Sequence, residues 1–460
     1  MQKRIEITLA LVIVGVTLAF GGVQPIVYSL MEIVLFLALL LVIVKPHRED
    51  SPALHAPIWL ALFTVLVLLQ IVPLPLWIVT RLSPARALDP KFTDLTHHSW
   101  LWTTLSIYPH DTLLNLIKLL ACFTAFVLAA YVFDSEKRKS ALVVVLMILG
   151  GSEAAYGLVQ YLTGWQKIFT FTKVDYRDDA TGTYINHNHF AGLLELTLPF
   201  VIASVFYLYQ VWSENRGRRS AAKHRSSAGI QSVFYLFLAA IMVVALLSSH
   251  SRAGLLAAGI SILFVAALTL IAVFTRQKAG RAAWALGLML FITCVACYGF
   301  WVGLDPILSR FEVIHDPGYI AREGRAGIWR SDLGLIRDYP LAGTGLGTFG
   351  LGFRRYQTTG LSYFFDHAHN DYLEFASDVG LPGAILLFAP MLYLLTKMVI
   401  AFLTDKRRYR RAVTLGCIGS SLALLVHSAM DFNLQIPANA LILATVLGIG
   451  YKTACLEPPA

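Results

Sequence analysis

The sequence predicts an all-α polytopic membrane protein with about 12 transmembrane helices. Composition is the first reason: of 460 residues, 57% are hydrophobic and 14% are charged, whereas a soluble domain has roughly 25% charged residues. The mean hydropathy of +0.65 agrees. The second reason is that apolar segments of about 20 residues, long enough to cross a bilayer as helices, recur along most of the chain.

The candidate spans begin close to the N-terminus. A basic end followed by an apolar run is typical of a signal peptide, but further apolar segments follow at once, so we expect a retained first span. The candidate spans are residues 5–22, 25–44, 58–79, 112–133, 140–162, 189–212, 231–248, 253–274, 284–304, 384–403, 413–430 and 438–454.

The distribution of Lys and Arg predicts the orientation. If the N-terminus is cytoplasmic, the connections on that side carry the dense basic pieces, among them "DSEKRK" and "DKRRYRR", and the turns at 21–25, 249–252 and 431–437 carry only Arg252. Basic residues collect in cytoplasmic loops. We therefore expect both termini in the cytoplasm, and the net charge of +9 is a topology signal rather than a sign of nucleic-acid binding.

Three parts follow from this topology. Residues 1–304 hold nine helices and the outer loops 80–111 and 163–188, residues 305–383 form a large periplasmic loop, and residues 384–460 hold the last three helices. Turn signals and short helical patterns in the large loop predict an ordered cap. The cysteines lie in or beside apolar segments and indicate packing rather than disulfides.

Arg252 is the residue that departs most clearly from the basic-inside pattern. It lies in a connection of about four residues between two spans, and its neighbours Ser249, Ser251 and Gly254 are small. A guanidinium binds phosphate through two parallel hydrogen bonds and stays charged. The pattern favours an anion site; the alternative is an arginine that reaches the headgroups.

The stretch "EGRAGIWRSDLGLIRDYPLAGTGLGTF" supplies two more outer arginines, Arg325 and Arg330. Apolar residues at helical spacing predict an amphipathic helix here. Arg325 is near the start of that helix, where backbone amides also favour a phosphate. The following "GTGLGTF" lacks the lysine of a phosphate-binding loop, and we interpret it as a turn.

The stretch "TGTYINHNHFAG" places polar residues at the outer mouth of the sixth span. Amide, imidazole and hydroxyl groups there can bind sugar hydroxyls or phosphate, and the alternative is simple polar capping of the span. The candidate substrate-binding residues are Tyr184, Asn186, His187, Asn188 and His189.

The stretch "FFDHAHNDYLEFASDVGLPG" combines histidines, carboxylates and helix signals. Asp366 or Asn370 can cap a helix, which puts His369 at the first turn, while His367 supports it. A neutral imidazole can accept a proton from a hydroxyl near pH 7, and a neighbouring carboxylate, Asp366, Asp371 or Glu374, is expected to orient it. Zinc is the alternative, if this HxH pair meets the pair His187/His189.

These stretches together resemble the O-antigen ligase/polymerase family of bacterial envelope glycosyltransferases. The sharpest likeness lies in the spacing of His369, Asn370, Gly380 and Gly383. "SRAG" around Arg252 and "GRAGIW" around Arg325 resemble the arginine positions of the family, and "NHNHFAG" is similar too. The resemblance spans residues 180–430; before that, only the topology agrees.

The resemblance implies a fold related to the GT-C glycosyltransferases, in the bacterial inner membrane with a periplasmic site. It implies a glycan donor on undecaprenyl diphosphate, a lipid A-core or glycan acceptor, and no metal or other cofactor. In the implied displacement, which inverts the anomeric carbon, His369 accepts the proton of the acceptor hydroxyl. Arg252 and Arg325 bind the diphosphate. Arg330, His367 and Asn370 are expected to contact substrate.

Two alternatives stay open. A protein O-oligosaccharyltransferase would use the same chemistry on a Ser or Thr acceptor. A flippase for the same lipid would show internal repeats and charges within its spans, whereas here the polar residues gather on one face.

Overall fold

The computed structural model describes residues 1–44, 55–87, 102–214, 222–276, 325–357 and 364–457, and these form an almost wholly α-helical bundle. Two short antiparallel ladders accompany the helices. One pairs β1 (Leu74–Pro75) with β2 (Trp102–Thr103), and the other pairs β3 (Lys167–Ile168) with β4 (Phe171–Thr172).

The helices are, in chain order, α1 (Gln2–Leu18), α2 (Pro25–Val44), α3 (Ile58–Ile71), α4 (Leu76–Leu82), α5 (Pro84–Ala87), α6 (Pro109–Val132), α7 (Glu136–Thr163), α8 (His187–Glu214), α9 (Ala222–Ser248), α10 (Arg252–Arg276), α11 (Arg325–Asp338), α12 (Phe349–Gly352), α13 (Asp371–Thr404), α14 (Arg408–His427) and α15 (Pro437–Tyr451).

Eight described helices are long and apolar enough to cross a membrane: α2, α6 to α10, α13, and α15 together with the π-helical turn Lys452–Leu456 that continues it. The expectation of an all-α polytopic membrane protein is therefore confirmed. The number twelve stays a prediction. Of the other candidate spans, α1 has 17 residues and α3 has 14, and α14 begins with three arginines in its first turn. The candidate span 284–304 lies outside the described residues.

Helix α8 is the centre of the bundle, packed against α7, α9, α10 and α14. Glycines of α14 allow α8 and α14 to approach closely. A Cβ at Gly416 would lie 2.4 Å from the Phe200 ring, and a Cβ at Gly419 would lie 2.6 Å from Pro199. Membrane helices gain little from the hydrophobic effect between them, so close contacts at small residues stabilise such pairs. The first turn of α8 is thereby fixed in the middle of the assembly.

Helix α13 begins at Asp371, thirteen residues before the candidate span 384–403. Asn370 caps it by accepting a hydrogen bond from the Leu373 amide at 3.1 Å. Gly380 does not end the helix. It introduces a kink with φ +70°, where a Cβ would lie 2.4 Å from the Leu341 carbonyl oxygen. Only glycine fits this combination of a positive φ and a close backbone.

The segment after α11 folds as the predicted turn. Gly343, Gly345 and Gly347 all have positive φ, and Gln70 of α3 donates to the Ala342 carbonyl at 2.6 Å. The Gly347 amide also donates to the Asp378 carboxylate at 2.6 Å. These bonds fix α11 and its turn against α13.

The bundle has two polar ends. We call the end at which α8, α10 and α13 begin and α14 ends the site end, and the opposite end, at which α14 begins, the far end. Three bonds join the loop after α14 to the start of α13: the Asp371 amide donates to the Ser428 carbonyl, the Leu434 amide donates to Asp371, and Asn370 donates to the Ala429 carbonyl.

Candidate functional site

His369 lies at the site end, just before the cap of α13. Its backbone has φ +51°, a conformation that is uncommon for a residue other than glycine. Its Nδ1 atom lies 3.2 Å from Oδ1 of Asp431, in the loop after α14, and its side chain is 29% exposed. The ring is therefore anchored on one nitrogen and accessible from outside.

Asp431 is the partner of His369, and this corrects the expectation that Asp366, Asp371 or Glu374 orients it. Asp431 is fully buried, and its second oxygen accepts a hydrogen bond from the Asn188 side chain. Burial alone would raise the pKa of Asp431. The hydrogen bond with His369, the nearby imidazoles and Arg325 outweigh burial and hold the pKa well below its usual range.

An ionised Asp431 can only accept hydrogen bonds. His369 therefore donates its Nδ1–H to it, which leaves Nε2 with the lone pair of a base. Arg325, the first residue of α11, approaches the same carboxylate with Nη2 at 3.9 Å from Oδ2. The predicted pair His369 and Arg325 thus meets at one buried carboxylate.

Phe432 is the apolar centre of the site. Its ring contacts three imidazoles: His367 stacks on it at 4.2 Å between centroids, and His189 and His369 meet it edge-on at 4.7 and 4.9 Å. Three polar rings from two chain segments are thereby held around one hydrophobic surface.

His367 is fixed by its own carboxylate. Its Nδ1 lies 2.8 Å from Glu374, whose other oxygen accepts the Ala368 amide. Burial lowers the pKa of His367, but the charge and hydrogen bond of Glu374 outweigh this and raise the pKa to about 9. His367 is therefore a cation at neutral pH. Glu374, expected as a partner of His369, belongs to His367.

The first turn of α8 spreads its side chains towards three different neighbours. His187 binds Asp179, Asn188 binds Asp431, and His189 packs on Phe432. The Asn186 side chain accepts the Asn188 amide at 2.8 Å, which positions this turn.

Tyr184 is directed into the bundle. Its ring is 1% exposed, and its hydroxyl donates to Asn439 at 3.0 Å. Among the predicted substrate-binding residues it is thus a buried support for the first turn of α8.

A second carboxylate, Asp179, joins two histidines beside this turn. Its oxygens lie 2.6 Å from Nδ1 of His187 and 2.7 Å from Nδ1 of His250. The Tyr176 ring packs against His187 at 4.3 Å between centroids. We call Asp179, His187 and His250 the histidine bridge.

Arg252 begins α10, two residues after His250, and it is half-buried. Glycine at 254 keeps the turn close to α8, since a Cβ there would lie 2.6 Å from Ala191. Arg330 is exposed on α11, and within the described ranges no ion pair joins it to Asp431. Arg322, an arginine of the same segment that could also face the diphosphate, lies outside the described residues.

A buried polar pair underlies the site. His427 and Glu195 are both inaccessible to solvent, and Nδ1 of His427 lies 2.9 Å from Oε1 of Glu195. Within the described part of the chain, Nε2 of His427 and Nε2 of His189 have no hydrogen-bond partner. Buried polar atoms are normally paired, so these two unpaired nitrogens are unusual. With Glu195 and His427, buried polar side chains extend from the site into the bundle.

The two HxH pairs of the zinc alternative diverge. His187 and His367 each bind a separate carboxylate, while His189 and His369 contact Phe432 from different segments. No group of three or more His, Cys, Asp or Glu side chains in the described ranges is arranged to hold a metal ion.

Backbone strain and helix termini concentrate at this end. Five described residues other than glycine have positive φ, and three of them, Tyr176, His250 and His369, belong to the site. Such strain clusters at functional sites. Helices α8, α10, α11 and α13 all begin here, and helix N-termini carry partial positive charge that favours anions.

Sequence reasoning missed Asp431, Phe432 and Asp179. One signal for the first two was "MDFN", a carboxylate and an aromatic residue in a very short connection between apolar segments. Asp179 lies in a polar loop among other carboxylates and offers no such signal.

The geometry can be compared with known families. Residues 237–388 match the family model described as "O-Antigen ligase", which confirms the resemblance predicted from the motifs. The matched segment contains Arg252, Arg325 and His369 and ends within α13. It supports a membrane glycosyltransferase of ligase or polymerase type. No curated protein matches the chain.

Proposed function

We propose that the protein transfers a glycan from undecaprenyl diphosphate to an acceptor hydroxyl on the periplasmic face of the bacterial inner membrane. The acceptor is lipid A-core for a ligase, or a second lipid-linked glycan for an O-antigen or exopolysaccharide polymerase. The observation that carries the proposal is the base geometry: His369 is held on Nδ1 by the buried, ionised Asp431 and exposes Nε2.

The reaction is a single displacement. Nε2 of His369 accepts the proton of the acceptor hydroxyl as that oxygen bonds to the anomeric carbon of the glycan. The bond between this carbon and the diphosphate oxygen breaks, and the electron pair leaves with the diphosphate. One displacement inverts the anomeric configuration. Asp431 stabilises the imidazolium that forms, as a buried carboxylate does for a histidine base.

The charge that develops on the leaving diphosphate needs fixed positive groups. Arg325 is beside Asp431, and Arg252 begins α10 after the strained His250. The helix N-termini at the site end add to the positive field. The proposal includes a GT-C-like architecture. It also includes an arrangement with both termini in the cytoplasm, and the uneven distribution of Lys and Arg supports this orientation.

The experiment reconstitutes the purified chain with a lipid-linked glycan and, separately, lipid A-core, a second lipid-linked glycan, and a protein with Ser and Thr acceptors. We expect transfer to one of the first two. Transfer to the protein would instead identify a protein O-oligosaccharyltransferase. Movement of the lipid across the bilayer without transfer to any acceptor would identify a flippase and overturn the proposal.

A further inference from the structure

The histidine bridge has no role in the displacement by His369. We propose that it is a binding element for the diphosphate of the lipid-linked donor, and that His187 and His250 donate Nε2–H to phosphate oxygens. This inference rests on the proposed function and adds two donor-binding side chains, one of which, His250, the motifs did not single out.

The geometry leaves one nitrogen of each ring for a ligand. Asp179 receives Nδ1 of His187 at 2.6 Å and Nδ1 of His250 at 2.7 Å, and both side chains are 10% exposed. A structural role would need only the Nδ1 contacts. Two imidazoles anchored on one carboxylate are held in fixed positions with both Nε2 atoms still to be used.

The position of the bridge connects it to the base and to the arginines. His187 immediately precedes Asn188, which binds Asp431. The charges of Asp431, Asp175, Arg325 and Asp179 all act on the Tyr176 hydroxyl, so Asp179 and Asp431 are both close to this one side chain. His250 precedes Arg252 by two residues. The bridge therefore lies beside the path between Arg252 and the base.

Backbone strain is a second, independent observation. His250 has φ +54° and Tyr176 has φ +54°. Positive φ costs free energy for a residue with a Cβ, and the surrounding structure retains it mainly where function requires the position. At His250 the strained turn is what carries the imidazole to Asp179.

The charge balance fits a dianionic ligand. Burial raises the pKa of Asp179, but the hydrogen bonds and charges of His187 and His250 outweigh it and hold the pKa well below its usual range. Since Asp179 only accepts, each ring gives it Nδ1–H, and a ring that also donates Nε2–H is an imidazolium. Donation of Nε2–H from both rings would place two positive charges against one carboxylate, which leaves net positive charge for an anion.

The other titratable or charged groups around the bridge come from three elements. Lys173 donates Nζ–H to the Asp179 carbonyl at 2.7 Å, and Tyr176 packs on His187. Tyr161 of α7 meets His250 edge-on at 5.6 Å. Arg252 of α10 follows two residues later. Two further carboxylates of the same loop are close, since the charges of Asp175 and Asp178 act on Tyr176 and Lys173. Lys173, Arg177 and Arg252 supply positive charge beside them, so an anion at the bridge is not opposed by carboxylates alone.

The test uses asparagine in place of each histidine. The amide nitrogen of asparagine takes nearly the position of Nδ1, so His187→Asn and His250→Asn keep the bond to Asp179 and lose Nε2. Asparagine also tolerates positive φ. The two residues lie on different segments, so a folding defect in one variant leaves the other to decide. His55→Asn, an exposed histidine before α3, is the matched control.

The measurement titrates farnesyl diphosphate and farnesyl monophosphate into the solubilised full chain. We expect each Asn variant to bind the diphosphate on the order of tenfold more weakly, the loss typical of one hydrogen bond to a charged group. His55→Asn should bind like the wild type.

Two results separate this inference from the proposed function. Unchanged diphosphate affinity in the Asn variants, with a wild type that binds diphosphate and transfers glycan, would overturn the inference alone. A wild type that binds neither farnesyl lipid and transfers no glycan would overturn both.

Discussion

The two ends of the bundle use similar residues in different ways. At the far end, Lys139 is 3% exposed and pairs with Glu457 at 2.8 Å, and Arg410 pairs with Asp405 at 3.1 Å. Arg411 donates to the Phe402 carbonyl at 3.1 Å. Each of these three cations has a carboxylate or carbonyl of the chain as its partner.

At the site end, carboxylates hold histidines by one nitrogen and leave the other for a different partner. All five described residues other than glycine with positive φ lie at this end, in the turns that contain Phe20, Phe169, Tyr176, His250 and His369. The difference indicates a division of labour. Under the proposed function, buried ion pairs at the far end serve stability, whereas strained backbone and imidazoles bonded through one nitrogen at the site end serve the transfer reaction.

Among the tests of this difference between the two ends, Asp431→Asn is expected to have the largest effect, on the rate of glycan transfer. The amide keeps the volume of the carboxylate but neither accepts Nδ1–H as strongly nor stabilises an imidazolium. We expect kcat for glycan transfer to fall by about 10²-fold or more, with little change in thermal stability. A loss of stability with normal kcat in the remaining folded protein would make Asp431 a structural residue like Asp405.

Lys139→Met should have the opposite profile. Removing Lys139 leaves Glu457 with only the more distant Arg410, at 3.5 Å, and we expect the free energy of unfolding to fall by about 1–3 kcal/mol. The transfer rate of the folded protein should stay unchanged. Lys137→Met, an exposed neighbour, is the control and should be within about 0.5 kcal/mol of the wild type. A reduced kcat in Lys139→Met would contradict the separation of the two ends.

Asp332 of α11 should make stability at the site end depend on pH. It is fully buried, no lysine or arginine of the described residues pairs with it, and burial raises its pKa to about 8. Between about pH 4 and pH 8 the folded protein keeps this proton and the unfolded chain loses it. Stability should therefore fall as the pH rises, by up to ~1.4 kcal/mol per unit.

Thermal unfolding between about pH 5 and pH 8 measures this slope. Asp332→Asn should make it less steep and should stabilise the protein most at the upper end of the range, while His367, whose pKa is also raised, keeps its own contribution to the slope. Glu136→Gln, at an exposed position of α7, should leave the slope as in the wild type. The same slope in Asp332→Asn would show that another group is responsible.

The sequence predicted the elements well because their signals are local. Apolar length and helix caps are properties of neighbouring residues, and Asn370 caps α13 as its position predicted. His369 and Arg325 were likewise predicted from their own surroundings. They meet at Asp431 because the loop after α14 is bonded to the start of α13.

The missing residues were those that act through distant partners. His369 is 62 positions from Asp431, and Asn188 is 243 positions from it. Composition and periodicity carry no information on such pairs, so the local choice of Asp366, Asp371 or Glu374 was wrong. The sequence likewise offered no signal for the histidine bridge, because Asp179 and His250 are 71 positions apart.

The most direct test of the account is the single-turnover rate of glycan transfer by His369→Ala, with donor binding measured in the same samples and His55→Ala as control. The account predicts a rate about 10² to 10⁴ times lower with donor affinity retained and His55→Ala like the wild type. Transfer by His369→Ala at close to the wild-type rate would contradict it.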